Sequence, residues 1–153
     1  MDLHGQKVLK VAIDPLWEAM DDPDLLARSA PGCKRLEAIG DGEYIAVVEL
    51  GVAAVKGRYT ARVRMSDKRR EAASGSLHVA LKGDGDSGFL TGEGDVRLET
   101  VEQGTRVSYE AAVTVGGRVA GVGQRVLRGI ANMLIGQFFK SLEEELHSVR
   151  TAT

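Results

Sequence analysis

The last third of the chain restricts the fold more than any other stretch. An alternating strand over residues 105–115 meets the break Gly116-Gly117, and one long apolar-faced helical segment follows over residues 118–147. Val119, Val122, Val126, Ile130, Met133 and Leu134 recur at three- and four-residue steps, which marks one face of a helix. Gly121, Gly123, Gly129 and Gly136 fall in the same segment, each costing about 1 kcal/mol relative to alanine in a helix interior. Helical glycines at that density predict close backbone approach or unfilled volume beside the helix. Everything upstream is dominated by strand patterns, so the chain predicts a sheet folded around one helix with a cavity between them.

Turn and cap residues divide the upstream part. A first strand spans 3–11. Asp14-Pro15 and Asp22-Pro23 each offer an N-cap followed by a first-turn proline, predicting helices over 15–20 and 23–30, and Pro31-Gly32 stops the second. Strands follow over 34–39, 44–50, 56–67, 75–82, 89–101 and 105–115, with Gly40-Asp41-Gly42 and Glu102-Gln103-Gly104 as hairpin turns. No linker, repeat or low-complexity tract interrupts the pattern, so residues 1–153 are expected to form one domain. The fold class is α+β: a curved antiparallel seven-stranded sheet wrapped around a long C-terminal helix, with two short helices between strands 1 and 2.

Alternation along the strands assigns their faces. Tyr44, Ala46, Val48 and Leu50 point inward, as do Tyr59, Ala61, Val63 and Met65, then Leu77, Val79 and Leu81. Leu90, Gly92, Gly94, Val96 and Leu98 join them, with Val107, Tyr109, Ala111, Val113 and Val115. Arg58, Arg62, Arg64 and His78 fall on the outer face. The inward set from these five strands holds three tyrosines and one thioether but no carboxylate, histidine or lysine. Such a face suits a hydrophobic small molecule better than proton-transfer chemistry, which needs a titratable group in reach of the substrate. The expected ligand-lining set is Tyr44, Tyr59, Val63, Met65, Leu81, Gly92, Gly94 and Tyr109, with Val119, Gly123, Val126 and Ile130 from the helical segment. A filled core, with the glycines serving only sheet curvature, is the alternative.

The helix carries a second pattern. Its apolar centre as far as Leu134 differs by roughly 120° from that of Phe138, Leu142, Leu146 and Val149. Either the helix bends near Gly136 or its second half is buried more broadly. Gln137 lies near the inward direction of the first half, as a ligand hydrogen bond or as a polar residue at the packing boundary.

Other functional classes are set aside by composition and spacing. A net charge of −2 gives no general attraction to nucleic acid, and the basic run Lys56, Arg58, Arg62, Arg64, Lys68, Arg69, Arg70 lacks interleaved aromatics for base stacking. That run is an expected solvated face, or a dock for an acidic partner or anionic lipid. Gly83-Asp84-Gly85-Asp86-Ser87-Gly88 fits the dinucleotide fingerprint in letters, yet it leads into a strand and its aspartates would repel a pyrophosphate. Phe89 stands where a calcium loop beginning at Asp84 needs glycine. The three histidines are scattered and Cys33 is the one cysteine, so no metal set and no intrachain disulfide are expected. The N-terminus lacks signal-peptide character and no run is long enough to span a bilayer, so a cytoplasmic location with at most peripheral membrane contact is expected.

Several segments together resemble one family. They are Pro31-Gly32-Cys33, Val55-Lys56-Gly57-Arg58-Tyr59-Thr60-Ala61, Gly92-Glu93-Gly94, the run from Val115 to Gly123, Leu127, Gly129-Ile130-Ala131 and Gln137-Phe138-Phe139. In that order they resemble the G subunit of carbon monoxide dehydrogenase, within the START-like (SRPBCC) superfamily. The resemblance implies a helix-grip fold with a deep hydrophobic cavity. It also implies an accessory role beside a molybdenum hydroxylase complex, with lipid or quinone as the ligand and no cofactor or catalytic set. Longer members continue into a membrane-seeking tail, whereas this sequence ends at Thr153 after Glu143-Glu144-Glu145, so direct anchoring is not expected. A cyclase or dehydratase using the tyrosines, and a pure docking module, are the competing functions, and a homodimer is compatible with all three.

Overall fold

A computed structural model of the chain describes the backbone of residues 1–152 and the side chains of residues 1–148. The strands are β1 (Asp2–Leu9), β2 (Cys33–Gly40), β3 (Glu43–Leu50), β4 (Gly57–Arg70), β5 (Ser74–Gly85), β6 (Gly88–Val101) and β7 (Gly104–Gly116). They form one antiparallel sheet in the order β1-β7-β6-β5-β4-β3-β2, so every neighbour but β1 and β7 is a sequence neighbour. Helices α1 (Ile13–Ala19) and α2 (Pro23–Ser29) sit between β1 and β2, and α3 (Gln124–Ala152) closes the chain.

Local chemistry sets most of these boundaries. Asp22 caps α2, its side chain accepting from the Leu25 amide at 3.2 Å, with Pro23 in the first turn. The first helix departs from the Asp14 cap expected for it. It begins at Ile13 after Ala12, and the Asp14 carboxylate pairs instead with Arg70 of β4, while Asp21 pairs with Lys68. Part of the basic run is therefore spent clipping α1 to the sheet. The segment 83–88 is a tight hairpin, with Gly83 and Gly85 in β5, Gly88 opening β6, and only Asp86-Ser87 between the strands. In β4 the register shifts between Ser66 and Arg69, and Asp67 adopts φ 52°, a bulge that bends the strand.

The long helix corrects two expectations. It does not begin at Arg118. Residues Arg118–Val122 form a 3-10 turn, and Gly123, at φ 100°, makes the break that lets α3 start at Gln124. Its buried face is also rotated from the one centred on Val126 and Met133, which are 48% and 41% exposed. Leu127, Ile130, Leu134, Phe138, Phe139, Leu142 and Leu146 form one unbroken i, i+3/i+4 stripe. No kink is needed at Gly136, because α3 runs through it and its second half is buried more broadly. Val149 lies outside the described side chains.

The interior is divided along this stripe. Phe139, Leu142 and Leu146 pack into a filled core with Leu9, Val11, Ile13, Leu16, Leu25, Leu98 and Val107. At the other end Leu127 meets Val55 and Val119 in a small separate cluster. Filled core and hollow therefore coexist, one under each half of the helix.

Gly129 and Gly136 tolerate side chains, since a Cβ built at either meets nothing within 4 Å. Gly129→Ala and Gly136→Ala are each expected to stabilise the fold by about 0.5–1 kcal/mol in urea unfolding. Gly94→Ala should destabilise it, because its Cβ would lie 2.8 Å from Ala111 Cα on β7. Loss of stability in both helix variants would show that these glycines are held by packing.

Candidate functional site

Between the two apolar clusters lies a cavity of about 570 Å³, walled mainly by β4 to β7, with Leu3 of β1 and Val48 and Leu50 of β3, on one side and by α3 on the other. The period-2 rule places its walls: Tyr59 and Ala61 come from β4, Val79, Leu81 and Gly83 from β5, Leu90, Gly92 and Gly94 from β6, and Tyr109, Ala111, Val113 and Val115 from β7. Ile130, Ala131, Leu134 and Phe138 supply the helix side. Gly92 and Gly94 combine the two roles considered for them. Both line the cavity, and a Cβ at Gly94 would collide with the β7 backbone, so the same missing side chain deepens the hollow and lets the sheet coil.

Of the residues expected to line a ligand site, Tyr59, Leu81, Gly92, Gly94, Tyr109, Val119 and Ile130 surround this cavity. The structure places the other five elsewhere. Tyr44 is buried, with its hydroxyl directed at the Met20 carbonyl 3.4 Å away, so the end of α1 covers that part of the sheet. Val63, its cross-strand partner, and Met65 share the inward face but lie outside the lining. Gly123 contributes its backbone, its carbonyl accepting from Leu127 N at 3.1 Å at the start of α3. Val126 is on the exposed face of the helix, and Gln137 is exposed as well. The lining set expected from the sequence leaves out Gly83, Leu127, Leu134 and Phe138, although Leu134 and Phe138 are both among its apolar helix positions. Extending the Leu77, Val79, Leu81 alternation by two residues finds Gly83, and counting back by four from Ala131 finds Leu127.

Charge is kept off the inner wall. Backbone of Glu93, Asp95 and Glu110 borders the cavity, but these side chains alternate to the convex face, where those of Glu93 and Asp95 are 70% and 65% exposed. There His78 bridges them, Nδ1 lying 2.9 Å from Asp95 Oδ1 and Nε2 3.3 Å from Glu93 Oε2. The hydrogen bond to Asp95, with Glu93 in support, raises the imidazole pKa above its ordinary value. Among the described residues, Tyr59 and Tyr109 are the only polar side chains turned into the cavity. The Tyr59 hydroxyl donates to Val55 O at 2.7 Å, and that of Tyr109 to Asn132 Oδ1 at 3.5 Å. Burial pushes the Tyr109 pKa up, which keeps it a neutral donor. Cys33 is half-buried and free, with Sγ 3.4 Å from Arg35 O. Among the described residues there is no group that could hold a metal ion, and no helix is long and apolar enough to cross a membrane.

The family model for the G subunit of carbon monoxide dehydrogenase (CoxG) matches residues 5–147. The chain belongs to that family. Among solved structures, a conserved protein from Geobacillus kaustophilus is 35% identical, with 97% of this chain and 96% of that one covered and a TM-score of 0.88. A START superfamily protein from Mycobacterium smegmatis is 12% identical over 97% of this chain and 98% of that one, with a TM-score of 0.74. The Zhui aromatase/cyclase from Streptomyces sp. R1128 is 13% identical over 96% and 93%, with a TM-score of 0.66. At such low identity the last two show the START-like fold of this CoxG-family chain and nothing finer. No curated protein matches the sequence.

Asp95→Asn is expected to return the His78 pKa toward the ordinary histidine value, followed by proton NMR titration of the ring. Because the folded-state pKa is raised, the stabilisation from this pair is complete below a pH of about 6.5 and fades as pH rises through the folded value. An unchanged titration would mean that Asp95 does not hold the imidazolium.

Proposed function

We propose that the protein is a noncatalytic binder of a hydrophobic small molecule, a lipid or an isoprenoid quinone, acting as an accessory to a carbon monoxide dehydrogenase-type molybdenum enzyme. The observation that carries this reading is the cavity of about 570 Å³ whose inward side chains are apolar except for two phenols. That volume falls within the range of small-molecule sites, and apolar lining favours ligands of the same character. The family name supplies the accessory role and the partner class. Cyclase-type chemistry would need an acid or base in the cavity. Raising the Tyr109 pKa moves the phenol away from neutral-pH proton donation.

Filling the hollow tests the ligand reading. At Gly83 a Cβ would meet Ala61 Cβ and Thr60 O at 3.8 Å, an ordinary contact. Gly83→Leu is therefore expected to fold and to weaken uptake of a fluorescent neutral lipid about tenfold or more. Wild-type protein that neither retains nor takes up any hydrophobic compound, by native mass spectrometry and lipid extraction, would remove the reading.

A second surface fits docking on the partner enzyme. Arg58 lies within 4.0 Å of Glu49, and Arg64 within 3.8 Å of Glu43. Arg62 and Lys82 are cross-strand partners on the outer face and have no ion pair among the described residues. Replacing both by glutamate should abolish capture of an acidic-faced partner enzyme while lipid uptake stays intact. Undiminished capture would exclude this face.

A further inference from the structure

We infer that the cavity holds its ligand in one orientation: an uncharged hydrogen-bond acceptor, a carbonyl or hydroxyl oxygen, sits at the Tyr109 hydroxyl, and the apolar remainder runs toward Val55. The inference rests on the cavity being a ligand site and adds which end of the ligand goes where.

The two phenols occupy opposite ends of the hollow and are not equivalent. Tyr59 pairs across the sheet with Val48 and Gly85, and its hydroxyl is committed to Val55 O at 2.7 Å. Tyr109 pairs with Val96 and Gly5, and its ring lies 6.2 Å from that of Phe139 at the filled end. Its hydroxyl reaches Asn132 Oδ1 only at 3.5 Å, beyond the ordinary range for a hydroxyl donor. A ligand oxygen at normal distance displaces such a contact with little loss, whereas the Tyr59 bond is already well formed.

Gly5 explains how the hydroxyl comes to lie there. A Cβ on Gly5 would stand 2.6 Å from the Tyr109 oxygen, so any side chain at that position would push the hydroxyl away. The phenol therefore lies across β1 and points its donor at the seam between β1 and α3, where Asn132 is exposed. A ligand with a polar head at this seam satisfies its one acceptor and leaves only hydrocarbon against the remaining wall. An acceptor placed at the Val55 end would find the Tyr59 hydroxyl already engaged with a backbone carbonyl.

Charge at the seam is limited. Arg128, one helical turn before Asn132, is exposed and donates to Asp2 O at 3.3 Å, while the Met1 ammonium lies away from Tyr109, beside the Val55 cluster, and donates to Val113 O at 2.8 Å. Among the described residues no lysine, arginine or histidine lines the cavity, so nothing beside Tyr109 would pair a carboxylate there and the head is uncharged.

The test compares three probes of nearly equal shape, ethylnaphthalene, methyl naphthyl ketone and naphthoate, by displacement of a neutral fluorescent dye at pH 8. Wild-type protein should bind the ketone about threefold or more tightly than the hydrocarbon. Tyr109→Phe, which keeps the ring, should erase that preference without changing affinity for ethylnaphthalene. Asn132→Ala should keep the preference. Equal binding of ketone and hydrocarbon by wild type would overturn the inference, as would loss of preference in Asn132→Ala but not in Tyr109→Phe. Naphthoate binding more tightly than the ketone would overturn it too, by moving the head to Arg128 or Met1. Failure of all three probes would sink the ligand-site reading itself, an outcome distinct from the others.

Discussion

One helix serves two different surroundings, and the rest of the molecule follows from that demand. The apolar stripe of α3 is continuous from Leu127 to Leu146, yet only its second half finds a filled core. Phe139, Leu142 and Leu146 are buried against α1, α2 and the inner ends of β6 and β7. Each such side chain contributes about 1.5–3 kcal/mol through removal from water. That packed half can hold the helix in place while the first half spans a hollow that contributes much less. The division is made by α1 and α2, which cover one end of the sheet and leave the other open.

The outer face of the sheet carries the charges that the inner face excludes. Strand alternation sends Glu93, Asp95, Arg62 and Arg64 to the convex side, and His78 settles between two carboxylates there. An apolar cavity and a charged exterior are thus one consequence of period-2 geometry. Ion pairs between elements sit on the surface as well, with Arg70 at the end of β4 meeting Asp14 of α1 and Lys68 meeting Asp21 in the turn after it.

Much of the fold was legible because its signals are local. Pro23 after Asp22, the hairpin glycines and the strand alternation are read within a few residues, and they mark the seven strands and both short helices. The position of the site was legible only in part. Tyr59, Leu81, Tyr109 and Ile130 follow from face assignment alone, whereas Tyr44 shares their face and parity yet lies under α1. Parity reports which side of a sheet a residue takes, not which helix covers it, and that information is tertiary. The rotation of α3 escapes the sequence for a related reason. Val126 and Met133 fit a helical spacing with Ile130 and Leu134 as well as Leu127 does, and only the packing of the folded chain shows that Val126 and Met133 are the exposed members.

On the proposed ligand reading, the small cluster at the far end from Tyr109 bears on how long a guest molecule would stay. Val55 belongs to a 3-10 turn flanked by Gly51 and Gly57, Val119 to another flanked by Gly117 and Gly123, and Leu127 to the opening turns of α3. All three side chains are buried, with Leu50, Val115 and Ile130 packed against them. On that reading, a mutation in this cluster acts away from Tyr109, so exchange kinetics and affinity for the polar head are open to separate adjustment.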